Sequence, residues 1–516
     1  FINGEPWGLY EIREKADEHF VESNYGIDNN TVDLLNAWSA LNGSDTGFIN
    51  LYSSLMAMNP LTDDYYNKFD QNVDIQNYID YYIGEIYYQN VDFGGYYWGV
   101  NNTKLWREQN GGKWRFIMYD MDGAMGYFGS SPIDNYINLT RNPSYPNAYS
   151  QIFDRTLNNI DIRNYFVNRF ADLINTIYKQ ENMEAIAYTM RDSIISEIPH
   201  QLGVWGAPTV ATVDSYLDAM LNYNNTRRST ARTHINTSFG LGGQRSLTLD
   251  VEPAGAGYII LNTITPTELP WTGIYFDGVP VSLTAVPNPG YTFSNWEAND
   301  LLPTGSTDIA LSINLDEGDN FTAVFTGTAI DPDIVVTEIN YNSNNDIDAG
   351  DWFELYNNSG TTIDLSEWKV KDGSGVYKYT IPYGTKLNAG ARLVIAQNLE
   401  KFNLIYPAIT NVVGGFVFDF NNDFDAIILT DIAGNVITEV HYSDEPAWPQ
   451  GADGTGRTLE LISFAAVPNN PESWFDGCLR GSPGVAYAPC NDEIVFSEIN
   501  YNSSVTNDAG DWVELY

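Results

Sequence analysis

Residues 334–356, IVVTEINYNSNNDIDAGDWFELY, recur without a gap as IVFSEINYNSSVTNDAGDWVELY at residues 494–516, an offset of 160 residues, with 16 of 23 positions identical. Self-similarity at one fixed offset marks a duplicated structural module, so the chain is a row of units rather than one core. The second copy stops after what reads as its opening strands. A strand pair alone cannot bury its apolar face. The chain is therefore expected to be an interior piece of a longer protein. Its start agrees, because Phe1 rather than Met opens strand-like sequence with no secretory leader.

A length of 516 residues, against roughly 100–200 per domain, points to three or four units. The formal charge of −42, from 67 acidic and 25 basic residues, would repel polyphosphate and anionic membranes, which excludes nucleic acid as a partner. No run of eighteen apolar residues exists, so no membrane-spanning helix is expected. Cys478 and Cys490 make no zinc pattern; in an exported protein they could close one local disulfide loop, and otherwise they are two free thiols.

The periodicity changes near residue 241. Before it, Ile75, Tyr78, Ile79, Tyr82, Ile83 and Ile86 recur at helical spacing, as do Phe166, Phe170, Leu173, Ile174 and Ile177. After it, short alternating strands are bounded by Gly, Pro, Asn and Asp. The expected layout is a mainly helical α+β unit at 1–240, all-β units at 241–328 and 331–490, and the start of another at 491–516.

Chemistry is expected in the helical unit. A helix ends near Tyr88, a loop carries Asp92, Asn101 and Asn102, and residues 104–108 and 114–121 read as a hairpin about a turn at 109–112. On an extended strand Asp120 and Asp122 would share one face, with Met121 toward the core, and could share a cation. Helix, Asp, Asn, hairpin, Asp is the order in which kinases present a catalytic base, a metal-binding Asn and a metal-binding Asp. Strand-end Asp-x-Asp pairs also hold metals in glycosyltransferases, and loop Asp and Asn often only turn the backbone.

The opening FINGEPWGLYEIREKADEHF resembles the CotH kinase family, as do Asp92, the Asn pair, KLWRE, KWRFIMYDMDGAMGYFG, EIPHQLGVWG and the Arg227–Arg228 stretch leading into INTSFGL. The resemblance spans nearly all of residues 1–240 and implies an atypical kinase-like fold that transfers phosphate from ATP, with Mg²⁺ or Mn²⁺, to hydroxyl groups of secreted proteins. On it Asp92 is the catalytic Asp. Asn102, or its neighbour Asn101, is a ligand at the nucleotide and metal site, Asp120 is a metal ligand with Asp122 as its alternative, and Glu14 lies at the nucleotide edge. A kinase also needs a phosphate-binding Lys on an early strand. Arg13 and Lys15 come too late in the order, so that Lys is expected upstream of Phe1. This piece alone is expected to bind nucleotide poorly and to be inactive, whatever the full-length protein does.

The segment VPVSLTAVPNPGYTFSNWE with FTAVF resembles a small bacterial repeat domain, with Tyr291, Phe293 and Trp296 as core aromatics. EINYN, GDWFELYN, LSEWKVKD and EPAWPQGADGTGRTLEL resemble the lamin-tail domain, an immunoglobulin-like β-sandwich. Its loop at 342–351 could hold a structural Ca²⁺ through Asp346, Asp348 and Asp351, or simply turn the chain. These modules imply a secreted or cell-surface bacterial protein acting on extracellular or envelope proteins, with β units that bind surface polysaccharide or protein. The competing expectation is a non-catalytic adhesion protein that uses the kinase-like domain as a scaffold.

Overall fold

The computed structural model describes every residue except 1–7, 11–12, 94–99, 101, 143–147, 267, 289, 303–304, 329–332, 376–377, 490–495, 501–511 and 516. It forms two compact units, one of Phe1–Pro287 and Thr292–Thr326, the other of Asn288–Tyr291 and Gly327–Tyr516.

The first unit begins with α1 (Glu18–Tyr25), β1 (Val32–Asn36), β2 (Ser39–Asn42), α2 (Thr46–Ala57), α3 (Asp63–Asn72) and α4 (Ile75–Tyr88). It continues through β3 (Lys104–Glu108), β4 (Arg115–Ile117), α5 (Tyr136–Thr140), α6 (Ala148–Thr156), α7 (Ile160–Asn175), α8 (Gln180–Ile194), α9 (Ile198–Trp205) and α10 (Val210–Phe239). Helix α4 is the centre of this part. Asp74 caps it by accepting the amide of Asn77, and Gln89 ends it in the left-handed region with its N–H on the Glu85 carbonyl. Between the caps its side chains are buried almost all round, as an interior helix requires.

The strands form one sheet in the order β2-β1-β3-β4, and β3 and β4 make the expected hairpin, Lys104 opposite Ile117 and Leu105 opposite Phe116. The second strand is shorter than the sequence suggests. It stops at Ile117, Asp120 adopts φ 57°, and Met121–Gly123 is a 3₁₀ turn. Asp120 and Asp122 therefore do not share a strand face; a turn brings them together.

Seven strands follow: β5 (Gln244–Glu252), β6 (Gly257–Leu261), β7 (Trp271–Phe276), β8 (Val281–Pro287), β9 (Tyr291–Ala298), β10 (Ala310–Ile313) and β11 (Asp319–Gly327). They make two sheets, β10-β8-β6 and β7-β5-β11-β9. Trp296 is fully buried, donates Nε1–H to the Asp308 carbonyl and packs on Phe293, so it is a core aromatic as expected. These strands share a compact unit with the helices because α7 presents polar groups to them. Asn175 exchanges hydrogen bonds with the Ile274 backbone, and Asn168 donates to the Pro280 carbonyl.

The second unit contains β12 (Ile334–Asn340), β13 (Trp352–Asn357), β14 (Ile363–Asp364), β15 (Lys369–Lys371), β16 (Lys378–Thr380), β17 (Lys386–Leu387) and β18 (Arg392–Ala396). Then come α11 (Leu399–Ile405), β19 (Val412–Gly414), β20 (Phe424–Thr430), β21 (Val436–Ser443), β22 (Leu459–Leu461) and β23 (Trp474–Asp476). Sheets ordered β19-β18-β13-β12-β22-β23 and β16-β15-β20-β21 enclose a core that includes Trp368, Phe353 and Ile427, the immunoglobulin-like sandwich expected. The repeat copy forms β24 (Phe496–Asn500) and β25 (Trp512–Leu515), paired with the same register shift as β12 and β13.

On the sheet, Glu354, Glu338 and Glu460 stand directly opposite one another on adjacent strands, all buried. Arg392 bonds Glu354, while Thr458 Oγ1 and the Ser482 amide donate to Glu338 Oε1 at 2.7 and 2.8 Å. In the 342–351 loop, Asp348 pairs with Lys401 at 2.7 Å and Asp351 accepts the Phe420 amide at 2.7 Å, while Asp346 is exposed.

Candidate active site

The site is assembled where α4 ends. Arg227 of α10, 1% exposed, donates Nη2–H to the Ile86 carbonyl and Nε–H to that of Tyr87, both at 2.9 Å, and Nη1–H to those of Pro132 and Asp134. A cation on the last carbonyls of a helix meets groups without intrahelical partners and the negative end of its dipole. Burial lowers its pKa to about 10, so Arg227 stays charged at neutral pH. The chain leaving this cap is Asn90-Val91-Asp92.

Two strands of hydrogen bonding lace that loop to the turn after β4. Val91 N–H reaches the Gly123 carbonyl at 3.3 Å, and Met125 N–H reaches that of Tyr88 at 2.7 Å. Gly123 is required by closeness, since a Cβ there would lie 2.8 Å from Asn90 Oδ1 and 3.4 Å from the Asp92 Cβ. From a third segment Asn102, at φ 48° and 6% exposed, donates Nδ2–H to Asp92 Oδ2 at 2.9 Å. Left-handed backbone at Asn102 and Asp120 is local strain of the kind that collects at functional sites.

The electrostatics place Asp120 among acids. Its carboxyl is pushed up, first by burial and then by Asp122 and Asp92, while the Arg13 charge opposes the shift. Tyr119 beside it is raised to about 12 by burial, with Asp120, Asp92 and Glu85 adding to it, and Lys104 Nζ sits 4.6 Å from its ring. Beneath the loop Glu85 is fully buried, and burial, opposed by the side chains of Asn90 and Tyr81, holds it up to about 8, so it is protonated at neutral pH.

Of the residues singled out from the sequence, Asp92, Asn102, Asp120 and Asp122 converge. Glu14 is occupied elsewhere, accepting from Ser23 Oγ at 2.7 Å and Asn24 Nδ2 at 3.1 Å on α1, and Asn101 lies outside the described residues. Lys15 pairs with Asp17 at 3.0 Å.

Residues 1–231 match the family model "CotH kinase protein". This part of the chain is similar to the CotH kinase family. Behind the CotH domain, residues 262–329 match the divergent InlB B-repeat domain and residues 328–444 the lamin tail domain. No curated protein matches the chain. Among solved structures, a DUF4876 family protein from Bacteroides thetaiotaomicron is similar over 48% of this chain and 97% of its own, at 10% identity and a TM-score of 0.20.

The CotH domain carries donors suited in type to a hard divalent cation: carboxylates and one amide oxygen. Among the described residues no group of three or more His, Cys, Asp or Glu is arranged to hold a metal. Mg²⁺ needs only one or two carboxylates when phosphates and water complete its shell, so Asp120, Asp122 and Asn102 fit that demand. Sequence reasoning missed Asn90, Gly123 and the capping role of Arg227. The N-x-D spacing at 90–92 and the Gly of DMDG were the available signals.

Proposed function

We propose that the CotH domain transfers the γ-phosphate of ATP to hydroxyl groups of extracellular or envelope proteins, as part of a secreted or cell-surface bacterial protein. The carrying observation is that Asp92, Asn102, Asp120 and Asp122, from three separate segments, meet in one acidic site. Asp92 accepts the proton of the incoming hydroxyl as its oxygen bonds to phosphorus and ADP departs. The Asn102 nitrogen is committed to Asp92, and its oxygen, with the Asp120 and Asp122 carboxylates, would hold the cation. Bound Mg²⁺ or Mn²⁺ would offset phosphate charge and relieve the repulsion between the two carboxylates. The β modules serve binding or anchoring to surface protein or polysaccharide.

A scaffold without catalysis is the second reading, favoured by the lack, among the described residues, of a three-acid metal group. Incubation of the full-length protein with Mn²⁺ and γ-labelled ATP separates the two. Label on Ser, Thr or Tyr that disappears in Asp92→Ala supports the kinase, and label that persists undiminished in that variant rejects the assignment of Asp92.

A further inference from the structure

Asn90 is 0% exposed, and both ends of its amide are used. Its Oδ1 accepts the Asp92 N–H at 3.2 Å, and its Nδ2–H points to the Asp120 carbonyl at 3.4 Å, with Met121 Sδ at 3.6 Å. Its own N–H closes on the Glu85 carbonyl at 3.1 Å, so the side chain is anchored to the end of α4. One amide thus bridges the segment bearing Asp92 and the segment bearing Asp120, and it holds the carbonyl of a residue whose φ of 57° needs outside support.

We propose that Asn90 is a positioning residue that sets Asp92 against the Asp120–Asp122 turn. The proposal rests on the phosphotransfer reading. Aspartate at this position keeps the acceptor but loses the donor to Asp120, and alanine loses both.

Helix α4 supplies its own control. Asn77, at the other end, makes an equivalent two-ended clamp, accepting the Phe116 N–H at 2.6 Å and donating to the Phe116 carbonyl at 3.1 Å, away from the acids. If Asn90 only stabilised the fold, Asn90→Ala and Asn77→Ala would alter function in proportion to their loss of thermal stability.

The test is calorimetric titration of Mn²⁺ plus ADP into the full-length protein that contains this chain and into its Asn90→Ala, Asn90→Asp and Asn77→Ala variants, below their melting temperatures, alongside phosphate transfer. We expect Asn90→Ala and Asn90→Asp to weaken Mn²⁺-ADP binding about tenfold or more, the scale for supporting partners of metal ligands. Asn77→Ala should bind as the parent does. Parent-like binding in a folded Asn90→Ala overturns the proposal alone. A full-length parent that neither binds Mn²⁺-ADP nor transfers phosphate overturns both the proposal and the reading beneath it.

Discussion

Tyr275 gives its hydroxyl to Oδ1 of Asp172 at 2.7 Å, joining strand β7 to the last turn of helix α7. The same carboxylate takes the amide of Asn262 and the backbone and hydroxyl donors of Thr263, at 2.7 to 3.2 Å. The B-repeat strands are thereby fixed to the CotH domain by a buried polar knot. Asp172→Ala would leave those donors unsatisfied, and we expect a loss of roughly 2–4 kcal/mol in urea unfolding of the first unit.

The same residue gives a pH signature. Burial, opposed by the hydrogen bonds from Thr263, Tyr275 and Asn262, holds Asp172 up to about 6. The folded state then keeps its proton to higher pH than the unfolded state. This contribution is full below about pH 4 and falls away as pH rises through about pH 6. Asp172→Asn should flatten that interval of the melting-temperature profile relative to the parent; an unchanged slope would contradict the assignment.

The apolar residues recurring at helical spacing from Ile75 to Ile86 and the turn at 109–112 made α4 and the hairpin legible, because both depend on neighbours in sequence. Asp172 was not legible. It is one acid within an apolar helical stretch, and its partners lie 90 to 103 positions away. Asp120 and Asp122 were misread as a strand pair, since alternation cannot show that Asp120 turns left-handed. Arg227 stood out only as part of a familiar motif; its role needs the Ile86 and Tyr87 carbonyls, about 140 positions earlier.

Gly123→Ala should act as a milder version of losing Asn90, because the new methyl group meets the Asn90 amide oxygen before any backbone atom. We expect a stability loss of about 1–2 kcal/mol. Weaker Mn²⁺-ADP binding, measured by calorimetry, should accompany it. Parent-like binding would mean that the loop has room which the described geometry denies.

In the lamin-tail sandwich, burial first and then Glu460 and Glu354 raise Glu338 well above the carboxylate range. Arg392 faces this row and is bonded to Glu354, and Tyr406 and Arg480 lie beside it. A raised acid is stabilising while protonated, so stability should fall as pH climbs above about 4.5. Glu338→Gln keeps an acceptor for Thr458 and Ser482 without the charge. It should melt higher than the parent in mildly alkaline buffer and close to it in acid, read by calorimetric scanning; a variant less stable at every pH would refute the protonated reading.

The central claim is that Asp92, Asn102 and the Asp120–Asp122 turn form one cation-dependent phosphotransfer site. Its most direct measurement is transfer from γ-labelled ATP, with Mg²⁺, Mn²⁺ or chelator, by the full-length protein and by its Asp92→Asn, Asn102→Ala and Asp120→Asn variants shown to be folded. Cation-dependent label on hydroxyl side chains is expected in the full-length parent, with a loss of at least about a hundredfold in each variant. Label that survives chelation, or that Asp92→Asn and Asp120→Asn leave intact, would contradict it.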